Sequence, residues 1–131
     1  MDTIEMIKKA YQDECASTLL YTTMAEVEKD PRLAEVYQRI ARTEKHHAEK
    51  WAQRAKEAGI TLEEYNPSWR TRILITLGKR FGPQMILPTI QGMEQSGTKQ
   101  YSEMENSMGM TADEQSHARL MDVVSRTVRG G

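Results

Sequence analysis

Two short stretches place a glutamate and a histidine one helical turn apart. In "EKHH" Glu44 precedes His47 by three residues, and in "EQSH" Glu114 precedes His117 by three. An i, i+3 spacing puts both side chains on one face of a helix, close enough to bind one ion. Carboxylate oxygens with imidazole nitrogen suit iron or manganese, whereas all-oxygen ligation favours calcium or magnesium and thiolates favour zinc. Of the three histidines in the chain, only His46 lacks such a partner. It follows Thr43 at that spacing and points about 100° around the helix from His47, so it reads as a surface residue.

The elements that must carry these pairs follow from the apolar pattern. From Ile4 a stripe of two residues per heptad runs through Ile7, Tyr11, Glu14, Thr18, Tyr21, Ala25 and Glu28, which predicts a first helix ending near Lys29. Asp30 is a good N-cap and Pro31 a good first-turn residue, so the link is short and the next helix antiparallel. That helix, over about 31–58, has Leu33, Tyr37, Ile40, Glu44, His47, Trp51 and Ala55 on its stripe and stops where Gly59 supplies a left-handed cap. Residues 59–83 read as a crossover with a short amphipathic helix whose apolar members are Trp69, Ile73, Leu74, Leu77 and Phe81. A third helix from about Gln84 carries Leu87, Ile90, Glu94, Gly97, Tyr101 and Met104, with Pro88 early enough to be tolerated. A fourth, to about Val128, carries Glu114, His117, Met121 and Val124. The expected fold is all-α: one domain over 1–131, a four-helix bundle with a long crossover.

Six ionisable residues therefore share the inward faces: Glu14, Glu44, His47, Glu94, Glu114 and His117. No Lys or Arg occupies a stripe position to neutralise the four carboxylates; a dication or two would. One Glu from each of two helices, with Glu-x-x-His from each of the other two, is the pattern of di-iron carboxylate bundles. The competing reading is a metal-free bundle whose inward Glu and His form hydrogen-bonded networks. Register leaves one further choice. Glu14 and Glu44 are level across the link at Asp30, but Glu94 and Glu114 are level only if the third helix ends near residue 104, whereas "TADE" reads as a capping box starting the last helix at Ala112. Either that helix begins near Asn106 or Ser107, or a loop spans the difference and Glu103 or Glu105 replaces Glu94. Tyr21 and Tyr101 are expected as core residues with hydroxyls near the site, and Cys15 as a small core or interface residue.

Composition narrows the function classes. Eighteen Lys and Arg against nineteen Asp and Glu leave a formal charge of −1, so no global field draws the chain to nucleic acid, and no nucleic-acid partner is expected. One cysteine rules out an intrachain disulfide and a four-cysteine metal site. No apolar run reaches the roughly 18 residues of a membrane span, and the start lacks a secretion signal, so a cytoplasmic location is expected. The segment "SWRTRILITLGKR" is basic without an acid. It fits a crossover helix with solvated charges, or a helix that lies on an anionic membrane or meets an acidic partner.

The stretches "YQDECASTLLY", "DPRLAEVYQRIARTEKHHAEKW", "PSWRTRILITLGKRFG", "ILPTIQGMEQ" and "ADEQSHARLM" make the chain similar to the ferritin-like, rubrerythrin-type di-iron family over nearly its whole length. More closely, it resembles the ferritin-like domain that precedes a transporter of the vacuolar iron transporter type in membrane-bound ferritins. The resemblance implies that Glu14, Glu44, His47, Glu94, Glu114 and His117 ligate two iron ions, with manganese or zinc as substitutes. It also implies ferrous iron oxidation by oxygen or peroxide, a homodimer, and a membrane-transporter domain as partner on the cytoplasmic side. Rubrerythrins carry a further Glu three residues after the third-helix ligand, where this chain has Gly97, and a cysteine-ligated iron that one cysteine cannot build. Peroxide reduction would therefore need an external electron donor. The other readings are such peroxide reduction as the main task, and a non-catalytic iron-sensing or dimerisation module.

Overall fold

The computed structural model describes residues 2–93. They form three α-helices, α1 (Thr3–Val27), α2 (Pro31–Glu57) and α3 (Trp69–Phe81), then a 3-10 turn at Pro83–Met85 and the helical residues 87–93, here α4. Among the described residues there is no strand, and no helix is long and apolar enough to cross a membrane. The predicted residues beyond 93, including Tyr101, Glu103 and Glu105, lie outside the described part.

Local chemistry sets each boundary. Asp2 caps α1 by accepting from the Glu5 amide at 2.8 Å, and Asp30 caps α2 by accepting from the Arg32 amide at 2.9 Å. Helix α1 stops at Val27, two residues before the predicted end, leaving a three-residue link to Pro31. At the far end of α2 the amide of Ile60 donates to the Ala55 carbonyl at 2.8 Å and that of Gly59 to Lys56 at 3.1 Å. This double closure requires a left-handed residue, and Gly59 has φ +71°. Ile60 then packs into the apolar cluster that contains Ala55.

Helices α1 and α2 pair along their length as an antiparallel hairpin and enclose two apolar clusters. One, toward the link, contains Leu20, Tyr21, Met24, Tyr37, Ile40 and Ala41, joined by Ile86, Leu87 and Ile90. The other, at the opposite end, contains Ile7, Ala10, Trp51 and Ala55. The stripe predicted on α2 is buried from Tyr37 to Ala55. On α1 the stripe is corrected: Ile7, Glu14 and Tyr21 are buried, but the residues three places after each of them that face inward are Ala10, Ser17 and Met24. Tyr11, Thr18 and Ala25 are only partly buried and Ile4 is exposed. Seven residues cover slightly less than two turns, so either flank of an i, i+7 row can face a partner. Here the small Ala10 and Ser17 allow the closer approach.

The apolar members of α3 divide between two faces. Thr71 and Gly78 are its buried positions, Leu74, Ile75 and Leu77 are partly buried, and Trp69, Ile73 and Phe81 face solvent. A Cβ on Gly78 would meet the Ile86 Cδ1 at 3.0 Å, so a helix position without a side chain lets Ile86 seat against α3. The helical residues resume at 87, not at Gln84, after the 3-10 turn.

Burial of Tyr37, with Glu28 nearby, pushes its hydroxyl up to about 12 from the ordinary 10.0. The unfolded chain thus releases this proton above pH 10 while the folded chain holds it. The contribution is fully present below pH 10 and is lost as pH rises toward 12, by up to about 2 kcal/mol. Urea denaturation at stepped alkaline pH should show this decline, and Tyr37→Phe should flatten it.

Candidate metal centre

Between the two apolar clusters, at mid-height of the α1–α2 hairpin, lie Glu14, Glu44 and His47. Their relative exposures are 6%, 1% and 0%, which is unusual for two carboxylates and an imidazole. Glu14 and Glu44 stand at nearly equal distances in sequence from the link, so antiparallel packing brings them level. His47 follows Glu44 by three residues and shares its face.

The His47 Nδ1 faces both acids, 3.6 Å from Glu14 Oε2 and 3.9 Å from Glu44 Oε2. These separations exceed a hydrogen bond. One ligand atom from each residue lies within 4.8 Å of the others. Two metal–ligand bonds of about 2.1 Å span up to about 4.2 Å, so modest side-chain rotation suffices to gather all three atoms around one ion. With both acids ionised and the imidazole neutral the cluster carries two negative charges, which a dication balances. The donor set of two oxygens and one nitrogen suits iron, manganese or zinc. A metal ion therefore fits these residues by charge, span and donor type.

Neighbouring residues sort as sequence spacing suggests. His46, one position away, is exposed, with its Nδ1 3.8 Å from Glu49 Oε2. Tyr21 is fully buried two turns along α1 from Glu14. Burial pushes the Cys15 thiol upward and Glu14 adds to this, against the lowering effect of the Tyr11 hydroxyl that donates to it. A protonated thiol is a poor metal ligand, and Cys15 is not in the Glu14, Glu44, His47 group. Residue spacing does not reveal an open groove of about 570 Å³ that Tyr65 and Pro67 from the crossover line together with Cys15, Thr18 and Ala48. Crossover residues follow no helical period, so spacing cannot assign their neighbours. Of the other residues read as ligands, Glu94, Glu114 and His117 lie outside the described residues.

Comparison with known proteins adds the remaining observation. The family model described as rubrerythrin matches residues 5–129. No curated protein and no solved structure matched the chain. The match runs through both Glu-x-x-His stretches and spans nearly the whole sequence, in keeping with described residues that hold helices and no strand and bury Glu and His together at mid-hairpin. The chain belongs to the rubrerythrin family, whose fold is the ferritin-like helical bundle.

Proposed function

We propose that this chain binds a pair of ferrous ions as substrate and oxidises them with oxygen or peroxide, supplying or regulating an iron transporter in iron and oxidative-stress homeostasis. The observation that carries the reading is the burial of Glu14, Glu44 and His47 within 4.8 Å of one another. In this reading Glu14 and His47 are terminal ligands and Glu44 a bridging one. Glu94, His117 and Glu114 take the matching roles from the second half of the chain. Iron held by these residues would supply one-electron redox chemistry toward oxygen or peroxide.

The chain's own contribution is positional and electrostatic. The carboxylates offset the positive charge of the incoming ions. The imidazole is held by burial with Nδ1 toward both acids. The apolar clusters on either side keep bulk water from the hairpin seam, so charge interactions there are less screened than at the surface.

Ferrous iron added anaerobically to metal-free protein should bind stoichiometrically, and admission of air should then produce ferric absorbance faster than in protein-free buffer. Stoichiometric binding without faster oxidation by oxygen or peroxide would overturn the oxidase reading and favour the non-catalytic iron sensor. Faster turnover only with peroxide and an added electron donor would favour peroxide reduction. Failure to retain iron or manganese under any loading would return the cluster to a purely structural role.

A further inference from the structure

Helix α3 turns Thr71 and Gly78 inward and presents a mixed apolar and basic surface outward. Trp69, Ile73 and Phe81 are 67%, 48% and 51% exposed. Trp69 and Ile73 are one turn apart and lie opposite the buried positions on the helix. The helix has no acidic residue, and its cations are Arg70, Arg72, Lys79 and Arg80. Arg72 is engaged internally, donating to Asn66 Oδ1 at 2.8 Å and to the Pro67 carbonyl at 3.1 Å, which ties the crossover to the helix start. Two of the remaining cations sit against the exposed rings: Arg70 5.3 Å from the Trp69 centroid and Arg80 5.7 Å from that of Phe81.

Three large apolar side chains held in water are costly on a purely solvated helix, and each has an arginine or lysine beside it in sequence or space. The whole chain has a formal charge of −1, so this positive surface is a local concentration and not a share of a global excess. Its complement is a surface with negative groups outside and apolar matter just beneath. An anionic bilayer has that layering: guanidinium forks pair with lipid phosphates, and Trp and Phe lodge at the headgroup boundary. Thirteen helical residues extend about 20 Å, too short to span the hydrocarbon and suited to lying along it.

We infer that α3 is a peripheral membrane-docking helix, inserting Trp69, Ile73 and Phe81 at the headgroup boundary of an anionic bilayer while Arg70, Lys79 and Arg80 meet lipid phosphates. Docking through α3 is independent of whether the Glu14, Glu44, His47 cluster turns over iron. It orients the hairpin with α3 between bilayer and bundle, because the opposite face of α3 packs on α1.

The test is co-sedimentation of the full chain with vesicles of phosphatidylcholine alone and of phosphatidylcholine mixed with phosphatidylglycerol. Binding is expected to the mixed vesicles only, weakening as salt is raised. Each cation removed should weaken it about fivefold, so Arg70→Gln with Arg80→Gln should lower binding by more than tenfold. Trp69→Ala with Phe81→Ala should abolish it, with helical circular dichroism unchanged because both side chains are exposed. Acrylamide quenching assigned to Trp69, by difference from Trp69→Phe, should be strong in the free protein and fall on vesicle addition. No binding to mixed vesicles, binding that these variants leave intact, or a Trp69 already shielded in free protein by the chain itself or a second copy would each overturn the inference. So would capture by polyglutamate without vesicle binding, which would assign the surface to an acidic polypeptide.

Discussion

Glu44→Gln should abolish the stabilisation that iron or manganese confers on the folded chain and reduce ferrous oxidation to the protein-free rate. Glu44 is 1% exposed and level with Glu14 across the hairpin, and it shares its helix face with His47. Gln preserves its volume and removes the charge. A metal that binds only the folded state adds about 2.7 kcal/mol at a concentration one hundred times its dissociation constant. The decisive quantity is therefore the difference in urea midpoint between metal-free and metal-loaded protein, which a purely structural role for Glu44 would leave unmoved. His46→Ala supplies the control, since His46 is exposed and faces Glu49, and the metal-induced difference should persist in it. A persistent difference in Glu44→Gln would overturn the ligand assignment.

The second large effect is expected at Trp51. This side chain is fully buried among Ile7, Ala10 and Ala55, one turn beyond His47 on the same helix. Truncation to Ala removes the largest buried side chain of that cluster and leaves a cavity the helices cannot fully close, at a cost of about 3–5 kcal/mol. Against a typical total of about 5–15 kcal/mol, the loss should appear as a much lower urea midpoint with a nearly unchanged slope. Leu20→Ala in the other cluster provides a comparison: both variants lose stability, but the Trp51 variant should lose metal affinity as well, because the wall next to His47 has been removed. Equal metal affinity in the two would show that Trp51 supports the fold without positioning the imidazole.

The parts legible in the sequence were those governed by a single helical period and a clear stop. Helix α2 is the best case: Asp30 and Pro31 open it, Gly59 closes it, and a buried stripe from Tyr37 to Ala55 carries Glu44 and His47 to the interior. Glu14 was legible because it stood in a row with Ile7 and Tyr21. The flank of that row was not, since Ala10 and Tyr11 are both compatible with an i, i+7 pattern and only the approach of the partner helix selects the smaller. Which residues of α3 face inward was not legible, for a different reason. Apolar content names the members of the helix but not their faces: packing on α1 and Ile86 places Thr71 and Gly78 inward, and the larger residues Trp69, Ile73 and Phe81 lie outside. The rubrerythrin family match spans residues 5–129, so it covers both Glu-x-x-His stretches.

The two apolar clusters that bracket Glu14, Glu44 and His47 also constrain traffic. Along the seam between α1 and α2, one direction is closed by Tyr21, Met24, Tyr37 and Ile40, and the other by Ile7, Ala10 and Trp51. A hydrated cation moving along that seam would have to shed its water against side chains whose only oxygens are the two neutral tyrosine hydroxyls. In the proposed role, an ion would therefore enter and leave across the hairpin at the level of the acids. Exchange of ions should respond to substitutions on the flanks at that height, and be indifferent to those at Met24 and Ile40, which seal the end away from Trp51.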